Sequence, residues 1–236
     1  MTEEAKRLIK DDYSFQDLVD IMALLRSDNG CPWDRVQTHE SIRKNFIEET
    51  YEAVEAIDNK DVANLREELG DVMLQVLFHA QMEREAGRFD INDVIDEVCK
   101  KLVVRHPHIF GDVSADTPDK VLDNWEEIKM RTKGQTDGKK RLEDVPKSLP
   151  ALMRSYKVVK RAEKAGADLG APELIAEDAS ALLTDVLKAD PGEKEGIIGK
   201  LLLNIVILAK KFEIEPEECL TKAINWYIIS YKGSDE

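Results

Sequence analysis

The sequence predicts an all-α fold, and three observations carry that expectation. Glycine and proline are scarce, at 12 and 8 of 236 residues, and β-branched runs are few. Apolar residues recur at three- and four-residue spacing over long stretches, the period of a helix with one buried face. The stretches are separated by short polar breaks carrying Asn-Gly, Asp-Asn or proline, so successive helices have the short connections of a bundle or a pair of helical hairpins.

Taken in order, the first helix starts at Ser14, with Asp17 three residues on as its capping partner. Phe15, Leu18, Val19, Met22 and Leu25 give it one apolar face. "SDNGCPWDRVQTHES" breaks the pattern and is expected as a loop. A second helix runs from about Ser41 to Ile57, and "DNKD" turns the chain. A third covers Val62 to Glu85 and is ended by Gly87; a fourth starts near Asp90 and stops before Pro107, which cannot continue a helix. Beyond residue 111, "GDVSADTPDK" is a polar turn region, "KVLDNWEEIKMR" a short helix and "TKGQTDGKKRLEDVPKSLP" a mobile linker. Helical spacing then resumes in "ALMRSYKVVKRAEKAG", "LIAEDASALLTDVLKA", "GIIGKLLLNIVILAKKF" and "PEECLTKAINWYIISY". The expected organisation is an N-terminal domain at 12–112, a linker with a short helix at 113–150, and a C-terminal helical region at 151–232.

That C-terminal region reads as a worn copy of the first. "EELGDVMLQVLFHAQ" lies over "GIIGKLLLNIVILAK", matching Gly70 with Gly199, Gln75 with Asn204 and Ala80 with Ala209. "IEETYEAVEAI" lies over "AEDASALLTDV" in the same way.

Composition excludes several function classes. With 42% hydrophobic and 35% charged residues the chain can bury a core. A net charge of −14 argues against nonspecific nucleic-acid binding, which needs basic surface to neutralise phosphates. It leaves room for a phosphorylated small molecule, provided metal ions screen the site. No run approaches a membrane-spanning length, and "MTEEAKRLIKDD" lacks the apolar core of a signal peptide. Cys31, Cys99 and Cys219 form no CxxC pair, so reduced thiols in a cytoplasmic protein are expected.

The chemistry is concentrated in acids. In the second helix Glu49 falls on the apolar stripe of Ile42, Phe46, Ala53 and Ala56, where a core residue belongs. Glu49/Glu52 and Glu68/Asp71 are both i, i+3 pairs, so each pair faces one way and two neighbouring helices could aim four carboxylates at one point. Asp71, Gln75 and His79 repeat at i, i+4, i+8 on a third helix that is otherwise apolar from Leu69 to Ala80. Such charges are costly unless paired or metal-bound. All-oxygen ligands suit a hard ion, Mg²⁺ or Mn²⁺, and the absence of Glu-x-x-His counts against a di-iron centre. Lys101 and Arg105, i, i+4 on the fourth helix, fit either a phosphate clamp or ordinary cation placement at a helix C-terminus. Trp33 in "CPWD" fits either a base-stacking platform or a plug for the bundle end. His106 and His108 fit either phosphate contacts or a cap for the helix end.

"CPWDRVQTHESI", "EETYEAVEAI", "EELGDVMLQVLFHAQ", "GRFDINDV" and "KLVVRHPHIF", in this order, resemble the MazG family of nucleoside triphosphate pyrophosphohydrolases. The resemblance runs from about Ser14 to Phe110 and extends to "NWEEIK" and "DVPKSLPALMRSYKVVKRAEKAG". It implies four-helix-bundle-like units, a homodimer, and Mg²⁺-dependent hydrolysis of NTP or dNTP to the monophosphate and pyrophosphate by water attack on the α-phosphorus. It implies Glu49, Glu52, Glu68 and Asp71 as metal ligands, and Lys101, Arg105 and Trp33 as nucleotide contacts. The water would be activated by Glu48 or Glu49.

The second copy departs from the family pattern. Glu52, Glu68 and Asp71 have Ala181, Ile197 and Lys200 as counterparts, and only Asp178 survives. "KAINWYIIS" and "GADLG" also lack expected residues. The second repeat is therefore expected to be catalytically dead. Two alternatives stand beside the main expectation: a superfamily relative specific for dUTP, dCTP or phosphoribosyl-ATP, and a regulatory interaction protein with vestigial acids.

Overall fold

The computed structural model describes residues 2–132 and 142–232, and all regular structure among them is helical. The expected linker stretch at 133–141 lies outside the described residues. The chain divides into two compact units, Met1–Val121 and Leu122–Glu236. No helix among the described residues is long and apolar enough to cross a membrane.

The first unit opens with α1 (Glu3–Arg7) and α2 (Phe15–Arg26). Ser14 and Asp17 close a capping box at the start of α2, as the sequence predicts, and Lys10 pairs with the same Asp17 carboxylate. The loop after α2 differs from expectation by holding one short helix, α3 (Pro32–Val36), which Pro32 starts from a position where a proline loses no hydrogen bond. Gly30 makes the turn between them: a Cβ there would sit 2.1 Å from the Leu24 carbonyl oxygen. α4 (His39–Asp58) begins two residues earlier than predicted, because Thr38 and Ser41 form a reciprocal cap. α5 (Val62–Glu85), α6 (Ile91–Arg105) and α7 (Pro107–Phe110) follow, with Asp61 and Asp90 capping α5 and α6. α8 (Pro118–Thr132) crosses the division between the units.

Burial follows the predicted stripes. Val19 of α2 packs with Leu77 and Ala80 of α5 and Ile91 of α6. Met22 of α2, Ile42 of α4, and Phe78 and Met82 of α5 form a second cluster. Burying each such side chain contributes roughly 1.5–3 kcal/mol. Arg26 fastens these elements together. Its Nε and Nη2 donate to Glu85 at 2.9 and 2.8 Å, its Nη1 donates to the carbonyls of Asp34 and Gln37 at 2.6 and 3.2 Å, and the guanidinium lies 5.3 Å from the Phe78 ring centre. One side chain thus holds α3 against α2 and α5.

The second unit holds α9 (Ala151–Lys164), α10 (Pro172–Lys188), α11 (Pro191–Lys211) and α12 (Pro216–Lys232). Its buried apolar residues include Val159, Ile175, Ala179 and Val206. Glu163 of α9 accepts from Lys210 of α11 at 2.5 Å and lies 3.5 Å from Lys211. Its closest helix packing is α10 on α11, as α4 on α5 is in the first unit.

Candidate active site

α4 and α5 run as a hairpin over the short turn from Asn59 to Asp61, so the apolar stripe of one faces the stripe of the other. The acids on those stripes meet. Ligand oxygens of Glu49, Glu68 and Asp71 lie within 4.8 Å of one another, and all three residues are half-buried. Glu52 joins them through a hydrogen bond with Glu68. Burial raises the Glu49 carboxyl above its ordinary range, and the charges of Asp71, Glu52 and Glu68 add to the effect. Glu68 is raised in the same way, by burial and then by Glu52 and Asp71. Burial and like charges at close range both disfavour the ionised carboxylates, a cost that a cation between them would offset. A hard divalent cation fits this donor set, which is all oxygen.

The other predicted residues lie on α3, α4 and α6 and at the end of α6. Glu48 is exposed and pairs with Lys44 at 2.9 Å. Lys101 is exposed and pairs with Glu97 one turn back on α6, at 3.2 Å; Arg105 is half-buried in the last turn of that helix. Trp33 is 57% exposed and meets Phe78 edge to face, with ring centres 6.5 Å apart. It therefore has a free surface as well as a footing on α5. His106 caps the end of α6 with Nδ1 2.6 Å from the Leu102 carbonyl oxygen, the capping alternative of the two.

One network escaped the sequence reading. Glu83 of α5 is buried and ionised, with Arg88 hydrogen-bonded to it holding its carboxyl down at about 2. It accepts from His39 Nε2 at 2.6 Å. His39 Nδ1 and His79 Nδ1 lie 2.7 Å apart, within hydrogen-bonding distance, with the donor set by the two tautomers. Burial lowers the His79 pKa, and His39 beside it adds to the effect. Phe46 packs on the same imidazole, with ring centres 5.6 Å apart. Gln75, one turn from His79, is buried with no partner for Oε1 among the described residues, a state that costs about 1–3 kcal/mol. The i, i+4, i+8 spacing of Asp71, Gln75 and His79 is the only trace of this arrangement in the sequence, because the partners His39 and Glu83 are 44 positions apart.

In the second unit a cavity of about 330 Å³ is lined by Asp178, Ala181, Leu182, Lys200, Leu203 and Asn204. Its charged lining residues are one carboxylate and one ammonium.

Comparison with known proteins bears on both units. Residues 37–110 match the MazG nucleotide pyrophosphohydrolase domain, a span that contains the four converging acids, Lys101 and Arg105. The chain is 42% identical, over 94% of its length and 86% of the relative's, to a Thermotoga maritima protein named nucleoside triphosphate pyrophosphohydrolase/pyrophosphatase MazG. It is 42% identical to the Escherichia coli K12 nucleoside triphosphate pyrophosphohydrolase, over 87% of this chain and 81% of that one. A Mycobacterium tuberculosis nucleoside triphosphate pyrophosphohydrolase is 41% identical over 63% of this chain and 46% of its own length. Identity sustained at this level along nearly the whole chain, with the acid-bearing helix pair inside the matched domain, means that the chain belongs to the MazG nucleotide pyrophosphohydrolase family.

Proposed function

We propose that this chain hydrolyses nucleoside and deoxynucleoside triphosphates to the monophosphate and pyrophosphate, with the chemistry in its first unit. The observation that carries the reading is the convergence of Glu49, Glu68 and Asp71 within 4.8 Å on two packed helices. Together with Glu52 they would hold Mg²⁺, or Mn²⁺ in its place. Such an ion, when bound, supplies neutralisation of charge on the phosphate oxygens.

The chain's own groups do the rest. Glu48 or Glu49 takes the proton of the attacking water, whose oxygen bonds to the α-phosphorus while the bridging oxygen leaves with pyrophosphate. Glu49 is the better placed, since it lies in the cluster, whereas Glu48 sits outside it beside Lys44. Lys101 would leave its partner Glu97 to join Arg105 on the phosphates. Trp33 offers its exposed ring to the base. A second copy of the chain is part of the same reading. The apolar side chains that α6 leaves exposed, among them Val94, Ile95, Val98 and Leu102, and those of α12, among them Ile224 and Trp226, are surfaces that a second copy would cover. A molar mass of one chain by light scattering at micromolar concentration would end the dimer reading.

The decisive assay is a panel of NTPs and dNTPs with Mg²⁺, scored for pyrophosphate against phosphate release. Pyrophosphate is expected from several bases; turnover of one nucleotide alone would favour a specialised relative. Glu68→Ala and Asp71→Ala are each expected to reduce the rate on the order of 100-fold or more, the scale of several kcal/mol of lost charge stabilisation. Full activity in either variant would remove these acids from the metal site.

A further inference from the structure

Gln75 and His79 take no part in the chemistry above, yet both are arranged as though for a ligand. Gln75 is buried, with an oxygen that no described residue satisfies, at a position where leucine would pack without that penalty. His79 is held at Nδ1 by the chain from Arg88 through Glu83 and His39, which fixes its ring and leaves Nε2 without a partner among the described residues. A packing residue needs no such bracing.

Their placement says what the ligand is. Asp71, Gln75 and His79 share one face of α5, each about 6 Å further along the axis than the last. A nucleotide whose phosphates lie at Asp71 has its nucleoside within reach of the next two turns. Trp33 comes from the other side onto Phe78, the neighbour of His79 in the chain. A terminal amide offers an acceptor beside a donor, the complement of a nucleobase edge.

We propose that Gln75 and His79 form the nucleoside-recognising side of the active site. The Gln75 amide turns outward to pair with the edge of the bound base, and His79 Nε2 hydrogen-bonds the same nucleoside. Because the amide can turn over, it meets donor-acceptor pairs of either order, so it registers that a base is present rather than which base. This assignment rests on the triphosphate reading above.

The test uses the full chain and Gln75→Leu, with Gln75→Met as a second variant of similar volume and His79→Phe beside them. Three quantities are read: the thermal midpoint without ligand, KM and kcat on the four NTPs, and the affinities for α,β-methylene-ATP and inorganic tripolyphosphate in Mg²⁺. Gln75→Leu is expected to hold or raise the midpoint, to raise KM about 3- to 10-fold on all four bases, and to weaken α,β-methylene-ATP by the same factor, as one lost hydrogen bond predicts. Tripolyphosphate affinity is expected to stay at the wild-type value. An unchanged KM on all four bases overturns the assignment, as does an equal loss of tripolyphosphate affinity. Failure of the wild-type chain to bind or turn over any NTP would instead strike the triphosphate reading, and this one with it.

Discussion

Glu49 and Glu68 show how much one side chain can announce. A carboxylate on a stripe of Ile42, Phe46, Ala53 and Ala56 is visible in the sequence because helical period and polarity disagree there, and the structure puts that carboxylate against Glu68 and Asp71. The same repulsion gives a prediction with an unusual sign. Replacing Glu68 by Gln removes one of the crowded charges, so the metal-free protein is expected to melt higher than wild type. The wild type is expected to gain in melting temperature with Mg²⁺ by mass action, and the variant to lose most of that gain. Calorimetry with and without Mg²⁺ checks both; a variant that melts lower and still responds to the ion would mean the acids do not share a cation. His39 was not legible in this way. Its role depends on Glu83 and His79, brought to it by a fold that no local pattern encodes.

At the scale of elements, period and capping residues were enough to place the long helices, including the Ser14–Asp17 box, but not the short α1, α3 and α7. They missed the start of α4 because Thr38 and Ser41 cap each other without the glutamate usually sought at that spacing. They also missed what holds α4 to α5 beyond apolar packing: the His39–Glu83–Arg88 staple joins the first residue of α4 to the far end of α5. Its pH dependence has a definite direction. Glu83 has a folded pKa of about 2 against an ordinary 4.5, so the unfolded chain binds more protons between those values. The staple's contribution is complete above about pH 4.5 and is lost as pH falls towards 2. Urea midpoints from pH 2 to 6 are expected to fall with acid in the wild type and to be flatter in Glu83→Gln, which starts lower at neutral pH. Equal slopes for the two proteins would show that other groups carry the acid sensitivity.

For the whole molecule, the sequence comparison of the two halves expects an acid-poor second repeat; in the second unit α10 and α11 pack together, with Asp178 and Lys200 lining one cavity. Whether the second unit descends from a copy of the first is read from aligned residues such as Gly70 and Gly199; shared periodicity alone makes many helix pairs alike. The chain divides between Val121 and Leu122, within α8 and within the segment expected as a linker with a short helix at 113–150. The proposed division of labour predicts that Lys200→Ala leaves kcat within about twofold of wild type, as surface substitutions away from a reacting centre do. A large loss in steady-state kinetics would bring the second unit into the chemistry. One consequence of the first unit's layout concerns the order of events in synthesis. Glu49, Glu52, Glu68 and Asp71 all belong to α4 and α5, which close on each other over the turn at Asn59–Asp61. Contacts so local in the chain form quickly and cost little loop entropy. The hairpin that carries the acids can therefore assemble as it leaves the ribosome, before the second unit has been made, and from that moment the nascent chain holds the groups proposed to bind the ion.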